Sequence, residues 1–246
     1  MTSNVITETA DRTAVEVRTS GTTLSNLVVQ GAPTSNGRGI TIMGAKNVRV
    51  LNVECKPSGD DAFGGWGEFR GLVVIGYQQH QGDWSQWNHG VVLGNEPGQP
   101  QPNWGIADGY AATFYDCWFE ASMVPIRSEG GVYQAFNCDI VVSPLGGIDA
   151  RDARWNLVNC RFRTMPSDAK PPYGYNATGP CPIRVQSRTP TDSQAAKVGK
   201  TRIYSAGCTL DGRPVTTAEL CRLFNYKTGY LGPGSASGAI RKTPNY

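Results

Sequence analysis

Phe114-Tyr115-Asp116-Cys117-Trp118-Phe119, Ala135-Phe136-Asn137-Cys138-Asp139-Ile140 and Leu157-Val158-Asn159-Cys160-Arg161-Phe162 repeat one pattern. Each is a short strand-like run, then Asn or Asp, then Cys, one free position and an apolar residue. The steps from Asp116 to Asn137 and on to Asn159 are 21 and 22 residues. A fixed period of about 20 to 25 residues carrying short strands marks a repeat architecture. Related runs start at Asn26, Asn52, Gly71 and Gly90 upstream and at Pro182 and Gly207 downstream, and Asn4-Val5-Ile6 has the form of a further, frayed copy. After each anchor the sequence reads apolar, free, apolar, the period-2 signature of a half-buried strand.

A coil of about 22 residues with short strands and tight turns is one rung of a parallel β-helix. The expected fold is therefore all-β: a single right-handed solenoid of about nine or ten rungs, with the hand set by the preference of parallel crossovers. An antiparallel sandwich with similar spacing is the alternative. In the solenoid, Leu27, Val53, Leu72, Val91, Cys117, Cys138, Cys160, Ile183 and Cys208 are expected to stack inward. Asn suits the anchor because it tolerates left-handed backbone and its amide can bond along the stack.

Composition agrees. The 246 residues include 30 glycines and only 17% charged residues, which suits many turns and little helix. A net charge of +3 gives no reason to invoke nucleic acid. No run of about 18 apolar residues exists, so no membrane span is expected. Met1-Thr2-Ser3-Asn4 shows neither a basic nor an apolar leader region, so no signal peptide is expected. Of seven cysteines, five fall on inward positions and read as buried free thiols. Cys181 and Cys221 fall off the ladder and are the candidates for an exposed thiol or a disulfide. No Cys/His metal spacing occurs, so neither a metal nor another cofactor is expected.

Residues 1–214 are read as the β-helix and 215–246 as a capping helix with an extended tail. Thr216-Thr217-Ala218-Glu219 resembles a capping box, and Leu220, Leu223 and Phe224 share a helical face, so a helix is expected from about 217 to 226. Gly229–Tyr246 has no periodicity and is expected to order only against a partner.

Three stretches can carry chemistry: Gly59-Asp60-Asp61, Asn88-His89-Gly90, and Asn36-Gly37-Arg38-Gly39-Ile40-Thr41-Ile42 one rung earlier. Adjacent carboxylates can serve as a general acid and its partner when a third carboxylate holds water opposite. The ordinary readings are a solvated turn pair or a cation site for Asp60-Asp61, and a turn histidine for His89. Trp66, Trp84, Trp87 and Trp104 lie in three successive loops, where aromatics stack on sugars, anchor interfaces or pack the loop down.

Together these stretches resemble the polygalacturonase-type glycosidases of the pectin-lyase-like superfamily, whose fold is the right-handed β-helix. The family motifs run Asn-Thr-Asp-Gly-Ile-x-Ile, Gly-Asp-Asp, Gly-His-Gly and Arg-x-Lys. Asn36, Gly39, Ile40 and Ile42 match the first, with Arg38 at its acidic position. Gly59, Asp60 and Asp61 match the second, and His89-Gly90 the third with Asn88 for a glycine. Arg127-Ser128-Glu129 stands at the fourth without its lysine. At the Arg-x-Pro-x-x-Arg-x-Gly spacing of pectate lyases, Pro125 and Gly130 match, but Met123 and Ser128 replace the arginines. The chain also resembles bacteriophage tailspikes and virion surface β-helix proteins. That resemblance implies a homotrimer, a larger protein assembly, a virion-surface location and possible glycan contact.

Two functions follow as expectations. The first is a non-catalytic structural or surface-decoration protein on a β-helix scaffold. The second is a polysaccharide-degrading hydrolase or lyase using Asp60, Asp61 and His89 with a loop carboxylate such as Asp83 or Asp108. Position 38 separates them: an Arg38–Asp60 ion pair argues for structure.

Overall fold

Asn26, Asn52, Asp116, Asn137 and Asn159 all hold positive φ, between 51° and 56°. This is the left-handed region, which Asn and Asp visit more readily than most L-residues because their short polar side chains bond locally. Gly76 and Gly207, each with φ 64°, fill the same corner in two other coils. There the Oδ1 of Asn52 or Asn159 from the preceding coil lies 2.6 or 2.3 Å from where a Cβ would sit, so a larger residue would have to push that amide aside. The amide also bonds along the stack: Asn137 Nδ2 donates to Asp116 Oδ1 at 3.3 Å. One turn chemistry, repeated once per coil, bends the chain at one edge of the molecule.

The computed structural model describes residues 4–34, 36–81, 88–94, 109–143, 146–166, 181–186, 201–225 and 229–230. These form a right-handed parallel β-helix with three faces. One face is an eight-stranded sheet, the second has five strands and the third nine. The solenoid has about six turns, fewer than the nine or ten expected. The first strand, Asn4–Thr7, pairs in parallel with Leu27–Gln30, so the frayed N-terminal copy is a strand of the solenoid.

Register identifies the equivalent inward positions. Trp118 pairs with Asp139, Asp139 with Arg161, and Arg161 with Thr209. The residues just before them, Cys117, Cys138, Cys160 and Cys208, therefore form one column, and each is at most 2% exposed. Their thiols donate to backbone carbonyls; Cys160 Sγ reaches Ala135 O at 3.5 Å and Cys208 Sγ reaches Leu157 O at 3.6 Å. Leu27 and Val53 belong to the same column. Leu72, Val91 and Ile183 do not. Leu72 pairs with Ala112 on the eight-stranded face, and Val91 and Ile183 lie on the nine-stranded face. Tyr77 takes the column position in the third coil, where Gln78 bridges Glu54 and Trp118. Every face shows the same apolar alternation, so alternation alone cannot say which face a strand belongs to.

Aromatic rings fill the wider part of the interior. Tyr77 meets Phe63 and Phe119 at centroid distances of 5.7 Å each, Phe114 meets Phe119 edge-on at 5.4 Å, and Tyr133 meets Trp155 at 5.0 Å. The buried Trp155 indole donates to Ser128 Oγ at 2.9 Å.

The C-terminal end departs from the helical expectation. The capping box is present: Glu219 N donates to Thr216 Oγ1, and Thr216 N donates to Glu219 Oε2. The helix, however, spans only Thr217–Leu220. Cys221–Asn225 is a strand on Ile183–Gln186, and Gly229–Tyr230 pairs antiparallel with it. Cys221 and Leu223 stand opposite Ile183 and Val185, so the solenoid continues past residue 214. Cys221 and Leu223 are spaced by two, as a strand requires, and the open sheet edge supplies hydrogen bonds that a short helix lacks. Residues 231–246, the rest of the expected tail, lie outside the described residues.

Candidate functional site

Three neighbouring strands of the nine-stranded face build the site: Arg38–Met43, Asp61–Trp66 and His89–Gly94. Asp61 is paired with His89, and the pairing of Ile40 with Phe63 sets Arg38 opposite Asp61. Arg38, Asp61 and His89 thus occupy one column at the start of three successive strands. Small residues follow each of them, namely Gly39, Ala62 and Gly90, and the coils close tightly there. A Cβ on Gly90 would sit 2.2 Å from the Pro125 carbonyl oxygen. Asp60 enters from the corner, where its N donates to Gly37 O at 3.0 Å and its carbonyl accepts from His89 N at 3.1 Å.

Side-chain ligand atoms of Asp60, Asp61 and His89 lie within 4.8 Å of one another. Arg38 Nε is 2.9 Å from Asp60 Oδ2 and 3.7 Å from Asp61 Oδ2. His89 Nδ1 is 3.3 Å from Asp61 Oδ1. The guanidinium carbon of Arg38 lies 5.4 Å from the Trp66 ring centroid, so Arg38 is held between two carboxylates and an indole. Asp61 is nearly inaccessible, with its side chain 4% exposed, whereas Asp60 is 24% exposed. Burial pushes the Asp60 carboxyl above its ordinary range; the Asp61 charge adds to this, and Arg38 and His89 oppose it.

The donor set, two carboxylates and an imidazole, is one that divalent cations accept. A cation there would have to displace the Arg38 guanidinium from Asp60. The arrangement also has the parts for acid–base chemistry: a carboxyl with raised proton affinity, a second carboxylate and an imidazole beside it.

The structure brings Asp60, Asp61, His89 and Arg38 together. Of the four tryptophans, Trp66 is at the site, packed under Arg38 and only partly exposed. Trp84, Trp87, Trp104, Asp83 and Asp108 lie outside the described residues. Cys181 and Cys221 are 2% and 3% exposed, which corrects the expectation of an accessible thiol. All seven cysteines are free and buried. Cys181 sits just before the Ile183–Gln186 strand and Cys221 within the strand beside it, so both join the core, on a face other than that of the thiol column.

A second polar group on the same face was not foreseen. Arg127, Asp149 and Arg184 form one outward column, and Glu129 and Arg151 stand in the next. Arg184 Nη2 and Arg151 Nη2 lie 2.5 and 2.8 Å from Asp149 Oδ2, Arg151 Nη1 lies 3.1 Å from Glu129 Oε1, and Arg127 also pairs with Glu129. Asp149 is fully buried; burial alone would raise its pKa, but the two arginines outweigh that and hold the carboxyl well below its usual range. The signal was in the sequence: Ile126-Arg127-Ser128-Glu129, Ile148-Asp149-Ala150-Arg151 and Ile183-Arg184-Val185-Gln186 repeat an apolar–charged–small–polar pattern once per coil.

Comparison of the chain with profiles of known protein families gave no match. No curated protein matches it either. Among the described residues, no helix is long and apolar enough to cross a membrane.

Proposed function

We propose that this protein is a non-catalytic structural or surface-decoration protein of the virion type, built on a pectin-lyase-like β-helix. In this reading it assembles as a homotrimer within a larger particle and meets glycans through aromatic loops. The observation that carries the non-catalytic part is the Arg38 guanidinium, 2.9 Å from Asp60 and 3.7 Å from Asp61. Glycoside hydrolysis needs one carboxylic acid to protonate the leaving oxygen and another carboxylate free to attack or to activate water. An arginine between the pair ties up the second requirement and stands where the resembling glycosidases carry an acid.

A second reading is favoured by one observation, the convergence of Asp60, Asp61 and His89 within 4.8 Å, where burial pushes the Asp60 carboxyl up. In a tailspike-like depolymerase, Asp60 would donate the proton to the leaving group, and Asp61, beside His89, would be the charged partner. The test is release of reducing ends from a panel of neutral and acidic polysaccharides. No release is expected from the wild type or from Asp61→Asn. Release by the wild type that Asp61→Asn abolishes would establish the hydrolase instead. The mass of the purified protein in solution tests the assembly half of the reading, for which a monomer is the failing result.

A further inference from the structure

Arginines on the nine- and five-stranded faces follow one rule. Arg38, Arg127, Arg151, Arg161, Arg163 and Arg184 each meet a carboxylate. Arg154, on the eight-stranded face, breaks it. Its guanidinium has no carboxylate among the described residues, and its Nε is buried with no hydrogen-bond partner. Asn156, two residues on, has the same fault, an Oδ1 that is buried and unpartnered. Trp155 between them is 1% exposed, so by strand alternation Arg154 and Asn156 both point outward. In the next coil Ile203 is buried, which sets Arg202 and Tyr204 outward in the same way. Arg154 is paired with Arg202, and Asn156 with Tyr204. The four side chains therefore rise from a block about 5 Å by about 7 Å at the backbone. Val132, paired with Arg154 on its other side, is 1% exposed, so apolar surface bounds the block there.

We propose that Arg154, Arg202, Asn156 and Tyr204 form a binding site for a tetrahedral oxyanion, a phosphate or sulphate group, either free or carried on a polymer such as a sulphated polysaccharide. A guanidinium cannot shed its charge, so an Arg154 Nε that is cut off from water needs an acceptor. Arg202 sets a second positive charge directly opposite, and like charges on neighbouring strands repel unless something negative lies between them. Arg202 Nη1 donates to Thr201 O at 2.7 Å, which holds that guanidinium beside the block. A half-turn of the Asn156 amide replaces Oδ1 by Nδ2, a further donor to the same guest. The Tyr204 phenol, opposite Asn156, can donate as well. Donors on two strands suit a tetrahedral group, which offers an oxygen to each of several sides, better than a carboxylate with two oxygens in one plane. A single water between Arg154 Nε and Asn156 Oδ1 would satisfy those two atoms and leave the Arg154 charge without a counter-charge. The site lies on a different face from Asp60, Asp61 and His89, and stands whether or not the chain cleaves polysaccharide.

The test is thermal melting of the full chain, followed by circular dichroism, with inorganic phosphate or sulphate added up to about 20 mM at an ionic strength held constant with chloride. A ligand that binds only the folded state raises the melting temperature, and the wild type is expected to show that rise. Arg154→Met is expected to lose it, with an affinity at least tenfold weaker. In chloride alone the same variant should melt no lower than the wild type, because the charge it removes has no partner in the protein. Arg154→Lys keeps the charge but not the planar fork, so it is expected to fall between the two, and it serves as the test if the methionine variant does not fold. Arg49→Met removes an exposed arginine of the same face outside the block and is expected to respond as the wild type does. Dextran sulphate distinguishes the sources. An Arg154-dependent response stronger than that to the same concentration of free sulphate assigns a polymer-borne group, and an equal one assigns a free ion. A wild type and Arg154→Met that rise together would place the anion elsewhere and overturn the site. No rise in the wild type with phosphate, sulphate or dextran sulphate would also overturn it, and would leave Arg154 Nε to water.

Discussion

On the nine-stranded face, outward positions hold Asp60 against Arg38 and, two to four coils on, a ladder of Arg127, Glu129, Asp149, Arg151 and Arg184. On the eight-stranded face, the equivalent positions hold Leu51, Ile75, Tyr115, Phe136 and Val158. The backbone is the same, the inward rows are equally apolar, and both faces are flat parallel sheet. What differs is the environment each outward row has to satisfy. A carboxylate that is fully buried, as Asp149 is, persists only with its counter-charges in place. A half-exposed apolar row needs no internal partner, and is improved by an external one. The solenoid constrains its inner row and leaves the outer rows free to specialise, so function has to be sought on the outer rows.

The largest effects should come from positions where both faces depend on the interior or on buried charge. Phe119 is 0% exposed and lies under two other rings, so Phe119→Ala should cost about 3–5 kcal/mol in denaturant unfolding. A near-neutral result would show that the ring does not belong to the core. Asp149→Ala should cost a similar ~3–5 kcal/mol, because Arg151 and Arg184 would be left in a buried site without their carboxylate. If that variant unfolds like the wild type, the charged face is solvated and the contrast collapses.

Acid sharpens the same comparison. The Asp149 carboxyl is depressed in the folded state, so the stability it contributes is fully present above the unfolded value near 3.8 and is lost as pH falls below it. Asp139 acts in the same sense: burial raises its carboxyl, and the hydrogen bonds from Arg161 and Arg163 outweigh that. Melting temperature should therefore decline below about pH 4, and the decline should be shallower in Asp149→Asn.

Smaller effects test the corners. Asn137 holds φ at 56°, so Asn137→Ala should cost about 1 kcal/mol or somewhat more, while Asn137→Gly should be close to neutral. Equal losses in both would mean that the amide bond to Asp116, and not the backbone, sets the corner. The smallest change is expected on the eight-stranded face. Thr113→Ala removes the acceptor of the Gln134 amide at a part-buried site with no charge involved, and a loss of about 1 kcal/mol should follow. A loss matching that of Asp149→Ala would end the distinction between the two faces.

The sequence by itself determined the coil. The 21- and 22-residue steps, the Asn, Asp or Gly before each ladder Cys and the apolar alternation after it are local facts, and each has one structural cause. Asn tolerates the left-handed corner, and a period of two buries one side of a strand. The one-coil step from Arg38 to Asp60 and Asp61 is also visible along the chain, whereas His89 is grouped with them only by the motif resemblance.

Only the tertiary structure decided which face each strand joins. Leu72, Val91 and Ile183 carry the same alternation as Val53, yet the hydrogen-bond register places them on other rows. It decided that Cys221–Asn225 is strand and not helix, since the open edge of Ile183–Gln186 is formed by residues distant in sequence. It decided that Arg38 binds Asp60, that Cys181 and Cys221 are buried, and that Arg127, Asp149 and Arg184 share one column. The physical reason is common to all of these. Alternation and turn preference are properties of a few consecutive residues, whereas register, burial and charge pairing exist only once coils about 20 or more residues apart lie against each other.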